Sequence, residues 1–521
     1  MPIHAADQAL PSTWTVPQFG AWPDSETEHH VIVIGAGIGG LTVAALLAKR
    51  GLKVLVIEAH DRPGGCCTSW TRKVRCRNGE VGVFTFDAGV QDISGLGAKG
   101  PLRHLLAQLE ATDQIHWHRV GHRYDQDGFQ FEMPERPQDL VAALTQQFPD
   151  EAEGIAAFVL AVKGVYLDLY ADVDVNGGVP TRPSGIKAMA AWPTERPLAD
   201  RWMLCTWTEF LDHFFQDARL KRLLSVISEY VTDQPEVLTV GEMAPLFGYY
   251  FDGGSYPAGG SQRLADVLSA NIDCCGGRVM LRTCVTQILL ERGSAVGVTT
   301  AAGGTHRAPL IISNADFGVT FGQLMDPAIL PTRYGQRLRN RKRGPSAFLV
   351  SLALDTVPDI PARVFLTTPT LQFGIGNPSV IDPTLAPPGH AVLTMLLLLP
   401  EQECANWQAM DRIDYRQRKR ALINEMITAA EAVIPGLRQT VLYQQAGTPR
   451  TAKRYLRTEN GCIYGAARRQ WSPGVQSPIP GLMLVGGGGR LGPGIEPVTI
   501  SGMTAAQLVL SQAGIGLRAR A

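Results

Sequence analysis

Charge of either sign is scarce in these 521 residues: Asp, Glu, Lys and Arg make up only 18%, and 48 acidic side chains balance 48 basic ones. A net charge of zero exerts no long-range pull on a polyanion, so nucleic-acid binding is set aside. Long hydrophobic runs are missing as well. The best candidate, residues 391–399, is closed by Pro400 and falls short of the roughly 20 apolar residues a membrane-spanning helix needs. A buried strand or core segment is expected there. The nine cysteines contain no C-x-x-C and the 11 histidines are scattered, so no metal site is expected. Reduced thiols in a cytoplasmic protein are the expectation instead. A G-x-S-x-G nucleophile elbow is absent. Residues 1–29 lack a basic start followed by an apolar run, so they do not read as a signal peptide. They are expected to form a flexible arm, with the fold beginning at His30.

What remains is rather apolar: 45% hydrophobic residues exclude disorder over most of the length. The length itself asks for more than one core. Residues 30–57 read as strand, glycine turn, helix, strand, with the helix stopped at Gly51. Further strands of the same sheet are expected at 278–282, in a pair at 285–291 and 295–300, at 308–312 leading into Ser313-Asn314-Ala315-Asp316, and at 481–485. A helix from about 497 to 510 follows the last of these. The expected fold class is therefore α/β, a discontinuous Rossmann-type nucleotide-binding domain with an α+β substrate or cap domain. Residues 30–100, 251–319 and 441–515 are assigned to the first, and residues 101–250 (helical and aromatic-rich) and 320–440 to the second.

The glycine turn is Gly35-Ala36-Gly37-Ile38-Gly39-Gly40, a G-x-G-x-x-G directly after a strand and opening a helix. The first glycine makes the tight turn, the second admits a pyrophosphate, and the third lets helix and strand approach. Free N–H groups and the dipole at the helix start then hold the anion. Glu58, ending the second strand, is placed to accept a hydrogen bond from a ribose 2′-OH. Its carboxylate also argues against a 2′-phosphate, hence against NADP. No second nucleotide unit is read, so NAD(P)H is not expected as a bound reductant.

Glu58-Ala59-His60-Asp61-Arg62-Pro63-Gly64-Gly65 resembles the E-x(5)-G-G extension of flavin amine oxidases and phytoene desaturases. Phe84-Thr85-Phe86-Asp87-Ala88-Gly89 resembles the F-D-x-G strand of the same families. Asp252-Gly253-Gly254-Ser255-Tyr256-Pro257-Ala258-Gly259-Gly260 is similar to the GG-x-YP-x-GG segment of carotenoid isomerases and phytoene desaturases. Gly481-Leu482-Met483-Leu484-Val485-Gly486-Gly487, followed by Gly492-Pro493-Gly494, looks like their C-terminal flavin motif. The likeness runs from residue 30 to 510 and implies FAD as cofactor. It implies that Gly64 and Gly65 let the chain pass the phosphates and ribityl, that the Val285 backbone bonds the adenine, and that Gly486 and Gly487 meet the ribityl-phosphate region. Two positions depart from the pattern. Many relatives have Asp where Gly487 stands, and V-P-G-V where this chain reads Ile495-Glu496-Pro497-Val498.

The resemblance implies chemistry on carbon–carbon bonds (desaturation, saturation or cis–trans isomerisation) of an apolar polyene or isoprenoid, nearest to the carotenoid isomerase and retinol saturase branch. Glu496 is the candidate catalytic group, as a proton acceptor or an electrostatic stabiliser; a solvated or ion-paired Glu is the alternative. At the level of function, a flavin amine oxidase and a non-enzymatic prenyl-binding chaperone of the same fold also stay open. Basic clusters at Arg333, Arg337, Arg339, Arg341, Lys342, Arg343 and at Arg416, Arg418, Lys419, Arg420 read either as solvated helix faces or as a contact with anionic lipid.

Overall fold

The computed structural model describes residues 15–21, 23, 25–180, 183 and 185–515. Five short strands form a parallel sheet in the order Leu482–Leu484, Leu310–Ser313, Val31–Ile34, Val54–Ile57, Arg278–Met280. Parallel sheets are covered on both faces, and the side-chain alternation fits that. Val31, Val33, Val54 and Val56 enter one apolar cluster, while Ile32, Ile34, Leu55 and Ile57 enter another. Helix Ile38–Lys49 is buried along nearly its whole length, because helices Gln262–Cys274 and Ile495–Gln512 both pack on it. Gly502 permits the second approach: a Cβ there would come within 2.6 Å of the Gly39 carbonyl oxygen.

The pair expected at 285–300 does not join this sheet. Strands Val285–Glu291 and Ser294–Thr300 form a separate antiparallel sheet with Thr305–Arg307. Their turn places Arg292 and Gly293 at φ 50° and 81°, as a tight hairpin requires.

A seven-stranded sheet carries the other half of the molecule, in the order Val441–Gly447, Ser346–Leu354, Ala391–Leu399, Gln372–Gly376, Arg363–Thr367, His122–Gln126, Phe129–Glu132. The apolar run 391–399 is thus a strand, paired along its full length with Ser346–Leu354. Two expectations are corrected here. Residues 101–250 are not only helical, since they supply the last two strands of this sheet. The strand Val441–Gly447 pairs with Ser346–Leu354 and belongs to this sheet, so the boundary set at 441 falls too early. Helices between residues 140 and 250 bury a second aromatic core built on Phe158, Trp207, Phe210 and Phe247.

The N-terminal arm also needs correction. Residues 1–14 lie outside the described residues, but the chain already packs before His30. Val16 is buried and its N–H donates to the Gln512 side chain at 2.7 Å. The Arg307 N–H donates to the Thr27 carbonyl, and the Lys53 ammonium donates to the Pro23 and Ser25 carbonyls.

The first basic cluster is not a single surface. Arg341 and Arg343 are buried: Arg343 pairs with Asp316 and Glu459, and Arg341 lies over the Phe317 ring and donates to the Gly488 carbonyl. Arg333, Arg339 and Lys342 remain exposed, as do Arg416, Arg418 and Arg420 on helix Arg412–Ala430. Among the described residues no helix is long and apolar enough to cross a membrane.

Candidate functional site

The strand Val31–Ile34 ends in a turn that only glycines can make. Gly35 sits at φ 92°, and its N–H donates to the Ile57 carbonyl at 2.8 Å, tying the turn to the neighbouring strand. Helix Ile38–Lys49 starts at Gly37 with no side-chain cap, so the donors of its first turn are left for another partner. A Cβ on Gly40 would run into the Gly35 carbonyl oxygen, and one on Gly37 would lie 2.6 Å from Asn314 Nδ2.

Asn314 was not singled out from the sequence, yet it organises this cradle. Its side chain lies against Gly35, Gly37, Gly39, Gly40 and Gly486 at once, and a Cβ on Gly486 would be 2.5 Å from Asn314 Oδ1. The only sequence signal is its position just after an apolar strand, in Ser313-Asn314-Ala315-Asp316. Gly64 and Gly65, at φ 122° and 62°, bring the next segment alongside: the Gly64 N–H donates to the Ala36 carbonyl at 2.7 Å. Glu58 accepts the Ala36 N–H on Oε2 at 2.7 Å and the His60 N–H on Oε1 at 2.8 Å. It therefore fastens the glycine turn to the end of the second strand, while each oxygen keeps a lone pair for a further donor.

A cavity of about 1760 Å³ opens over this cradle. Of the residues expected to hold the cofactor, Gly35, Gly37, Ile38, Gly39, Glu58, Ala59, Gly64, Gly65, Val285, Gly486 and Gly487 all line it. Gly40 does not, and lies beneath the turn. The spacing G-x-G-x-x-G recurs at Gly95–Gly100 and Gly487–Gly492, matches that the sequence reading passed over. Neither sits between a strand of the parallel sheet and an immediate helix across from an acidic strand end. After Gly492 the helix begins only at Ile495, and Gly97 packs on Asp252.

Glu496 also lines the cavity, in the first turn of helix Ile495–Gln512. It is buried and is not ion-paired with any basic side chain of the described residues. Ser94 Oγ donates to Oε2 at 2.5 Å and Tyr170 OH to Oε1 at 2.6 Å. Burial pushes its carboxyl above the ordinary range, the two hydroxyl donors pull it partly back, and nearby Asp252 pushes it up again. Gly95, at φ 85°, passes so near that a Cβ would lie 3.1 Å from Glu496 Cγ.

Two motifs read separately in the sequence prove to be one network. Asp87 of Phe84–Gly89 accepts hydrogen bonds from Ser69 Oγ, from Tyr256 OH at 2.5 Å, and from both the N–H and Oγ of Ser261 at 2.8 Å. Desolvation raises its pKa, and those four donors oppose the rise. Asp87 thus fixes the Tyr256-Pro257-Ala258-Gly259-Gly260 segment against the wall of the cavity.

Residues 38–510 match the family of flavin containing amine oxidoreductases. The chain belongs to that family. It is a flavin-dependent oxidoreductase, and the cradle described above fits such a cofactor: an uncapped helix start, Cβ positions already filled, and an acidic strand end on one cavity wall. This flavin amine oxidoreductase homologue is 27% identical to prolycopene isomerase 1, chloroplastic, of an Oncidium hybrid cultivar, over 94% of this chain and 85% of that protein. It is 26% identical to all-trans-retinol 13,14-reductase of Danio rerio, over 87% and 82% of the two chains. It is 25% identical to a 4,4'-diapophytoene desaturase of Methylomonas sp, over 92% and 95%. Among solved structures, an oxidoreductase from Methanosarcina mazei shares the fold with a TM-score of 0.66 at 21% identity, over 92% of this chain and 99% of that one.

Proposed function

We propose that this flavoenzyme binds FAD and acts on carbon–carbon bonds of an apolar polyene, by desaturation, saturation or cis–trans isomerisation. The observation that carries the reading is the single cavity of about 1760 Å³, which joins the glycine cradle to a chamber walled by Ala347, Leu349 and Leu396 of the seven-stranded sheet. The relatives named above add support, since all three are named for reactions on polyenes or their precursors. Bound FAD would supply hydride exchange with the substrate carbon. The protein's part is to orient and to exclude water. The first turn of helix Ile38–Lys49 would take the pyrophosphate, Glu58 the ribose hydroxyl, Val285 the adenine and Gly486 and Gly487 the ribityl region. The Glu496 carboxyl would hold or accept a proton at the substrate. The amine-oxidase alternative wants an open aromatic slot; Tyr230 and Tyr249, both lining the cavity, instead stack on each other at 4.7 Å.

The direct test is purification followed by flavin absorbance and pigment analysis of lipid extracts after expression beside candidate polyenes. A colourless protein would favour the prenyl-binding chaperone, and a coloured one that alters no polyene would sink the substrate reading. Glu58→Gln is expected to weaken FAD binding by about 1–3 kcal/mol, the range for a charged hydrogen-bond partner. Fluorescence titration measures this, and unchanged affinity would remove Glu58 from the ribose.

Peripheral binding to anionic lipid belongs to the same proposal. It now rests on the exposed Arg333, Arg339, Lys342, Arg416, Arg418 and Arg420. Sedimentation with anionic liposomes at low salt, and release at high salt, is the expected result. Binding indifferent to lipid charge and salt would leave these side chains as ordinary solvated faces.

A further inference from the structure

A second group of buried polar side chains lines the cavity and takes no part in the cofactor cradle. Arg363 lies on the seven-stranded sheet and is 3% exposed. Its guanidinium stacks over Phe365 at 4.4 Å and over Tyr230 at 5.4 Å. It fills the space above Gly374, where any Cβ would collide with it, so the sheet is built around this side chain. Beside it on the paired strand, His122 Nε2 meets Asp92 Oδ2 at 2.7 Å, with both groups buried.

These groups satisfy one another only in part. Nε and Nη1 of Arg363, Oδ1 of Asp92, Oε1 of Glu229, the Tyr230 hydroxyl and both amide atoms of Gln91 are buried without a hydrogen-bond partner of good geometry. The Tyr230 hydroxyl interacts with both Asp92 and Arg363, and Glu229 with Gln372, so the cluster is held together from within as well. Gln91, Asp92, Glu229, Tyr230 and Arg363 all line the cavity. A buried polar group left unpaired is destabilising, and a charged one more so. Five residues carrying such atoms line one cavity, so a polar group entering beside them could complete their bonds after small side-chain adjustments.

We propose that this cluster binds an oxygen-bearing end group of the substrate, a hydroxyl or carbonyl, and so selects oxygenated polyenes over hydrocarbon ones. The inference rests on the polyene reading above and narrows it. Donors (Arg363, Tyr230, Gln91) and acceptors (Asp92, Glu229) stand together, as a hydroxyl needs. A carboxylate fits less well, because Asp92 already answers the charge of Arg363, and burial, which pushes Glu229 up to about 7, penalises a further anion in the same way. The position of the end group also follows. Asp92 is two residues from Ser94, whose hydroxyl bonds Glu496, and two residues of extended chain span about 7 Å. The oxygen would therefore lie close to the carboxyl offered as the proton site.

The experiment uses the purified flavin-loaded protein and three probes of one carbon skeleton: all-trans-retinol, its deoxygenated hydrocarbon, and retinoic acid. Binding is followed by polyene absorbance and tryptophan quenching. The parent is expected to bind the alcohol at least about 100-fold more tightly than the hydrocarbon, as sites built to hydrogen-bond a hydroxyl do. Arg363→Met should cut that ratio below about tenfold, with flavin content and circular dichroism as the check on folding, and Tyr230→Phe should cut it several-fold with less disturbance of packing. Equal affinity for alcohol and hydrocarbon, or a ratio unmoved by both variants, overturns the proposal. Tighter binding of the acid than of the alcohol overturns the assignment of a neutral oxygen. A flavin-replete parent that binds none of the three overturns the polyene reading, and this proposal with it.

Discussion

Gly40→Val is expected to purify without its flavin. The position does not touch the cavity, so the effect is indirect and for that reason large. A Cβ at residue 40 runs into the Gly35 carbonyl oxygen and lies 3.0 Å from Asn314 Cβ, and valine adds two methyl groups to the same space. The obstacle is backbone, which cannot swing aside as a side chain could. Relief requires moving either the glycine turn or the first turn of helix Ile38–Lys49, the two parts whose N–H groups are proposed to converge on one anion. Gly37→Val should behave alike, with the difference that its first clash is with the Asn314 amide, a side chain that can yield. Gly37→Ala should therefore keep part of its flavin, where Gly40→Ala keeps none. The ratio of flavin to protein in the soluble fraction, with circular dichroism as a check on folding, decides it. Stoichiometric flavin in Gly40→Val would mean that the cofactor is not held at this turn.

Glu496→Gln is expected to lower turnover by at least about tenfold with flavin still bound, toward the range of a lost general acid or base. The substitution is nearly isosteric: the amide carbonyl can accept from one of Ser94 and Tyr170, and the other hydroxyl can rotate to accept from the amide. Packing is thus spared while the exchangeable proton and the charge are lost. The pH dependence separates these two. Burial raises the folded-state pKa of Glu496 above its ordinary value of 4.5, so the neutral form is favoured in the fold. Its contribution to stability is then complete below pH 4.5 and is lost as pH rises through the raised value. Relative to the parent, Glu496→Gln should gain stability over that window. Turnover of the parent should show a limb in the same window that the variant lacks, rising with pH if the carboxylate is a base and falling if the acid is used. Full activity of a flavin-replete variant would return Glu496 to a structural role. In a redox-neutral isomerase the charge would still matter, but no solvent proton need enter the polyene.

The parallel sheet and its glycine turn were legible because each depends on neighbours in sequence. Short β-branched runs flank Gly35–Gly40, and Glu58 follows at the second strand end. The strands at 122–132 were not legible, for a physical reason. His122, Asp125 and Gln126 are buried polar residues in a strand, so the alternation of apolar and polar that marks a half-buried strand is absent. The site divides the same way. Glu496 could be singled out, but Ser94 and Tyr170, which bond it, lie 402 and 326 residues away. Asn314 and Arg363 carry no local signature, since their significance comes wholly from what distant segments bring to them. Asp87 was seen as one motif and Tyr256 as another, and only the fold made them partners.

The central strand Val31–Ile34 lies between Val54–Ile57 and Leu310–Ser313, and Leu482–Leu484 lies beyond the latter. During synthesis, then, the first strand made has one neighbour within seconds and must wait for most of the chain before its other edge is covered. At roughly 5–20 residues per second, that wait is on the order of 15–60 s to residue 313, and longer to residue 484. For that interval an apolar strand edge and a half-built glycine cradle face solvent unpaired. With the ribityl region placed at Gly486 and Gly487 as proposed, the flavin site is complete only once residue 487 has been made. On that assignment cofactor loading follows chain completion, and a prematurely ended product is expected to be colourless.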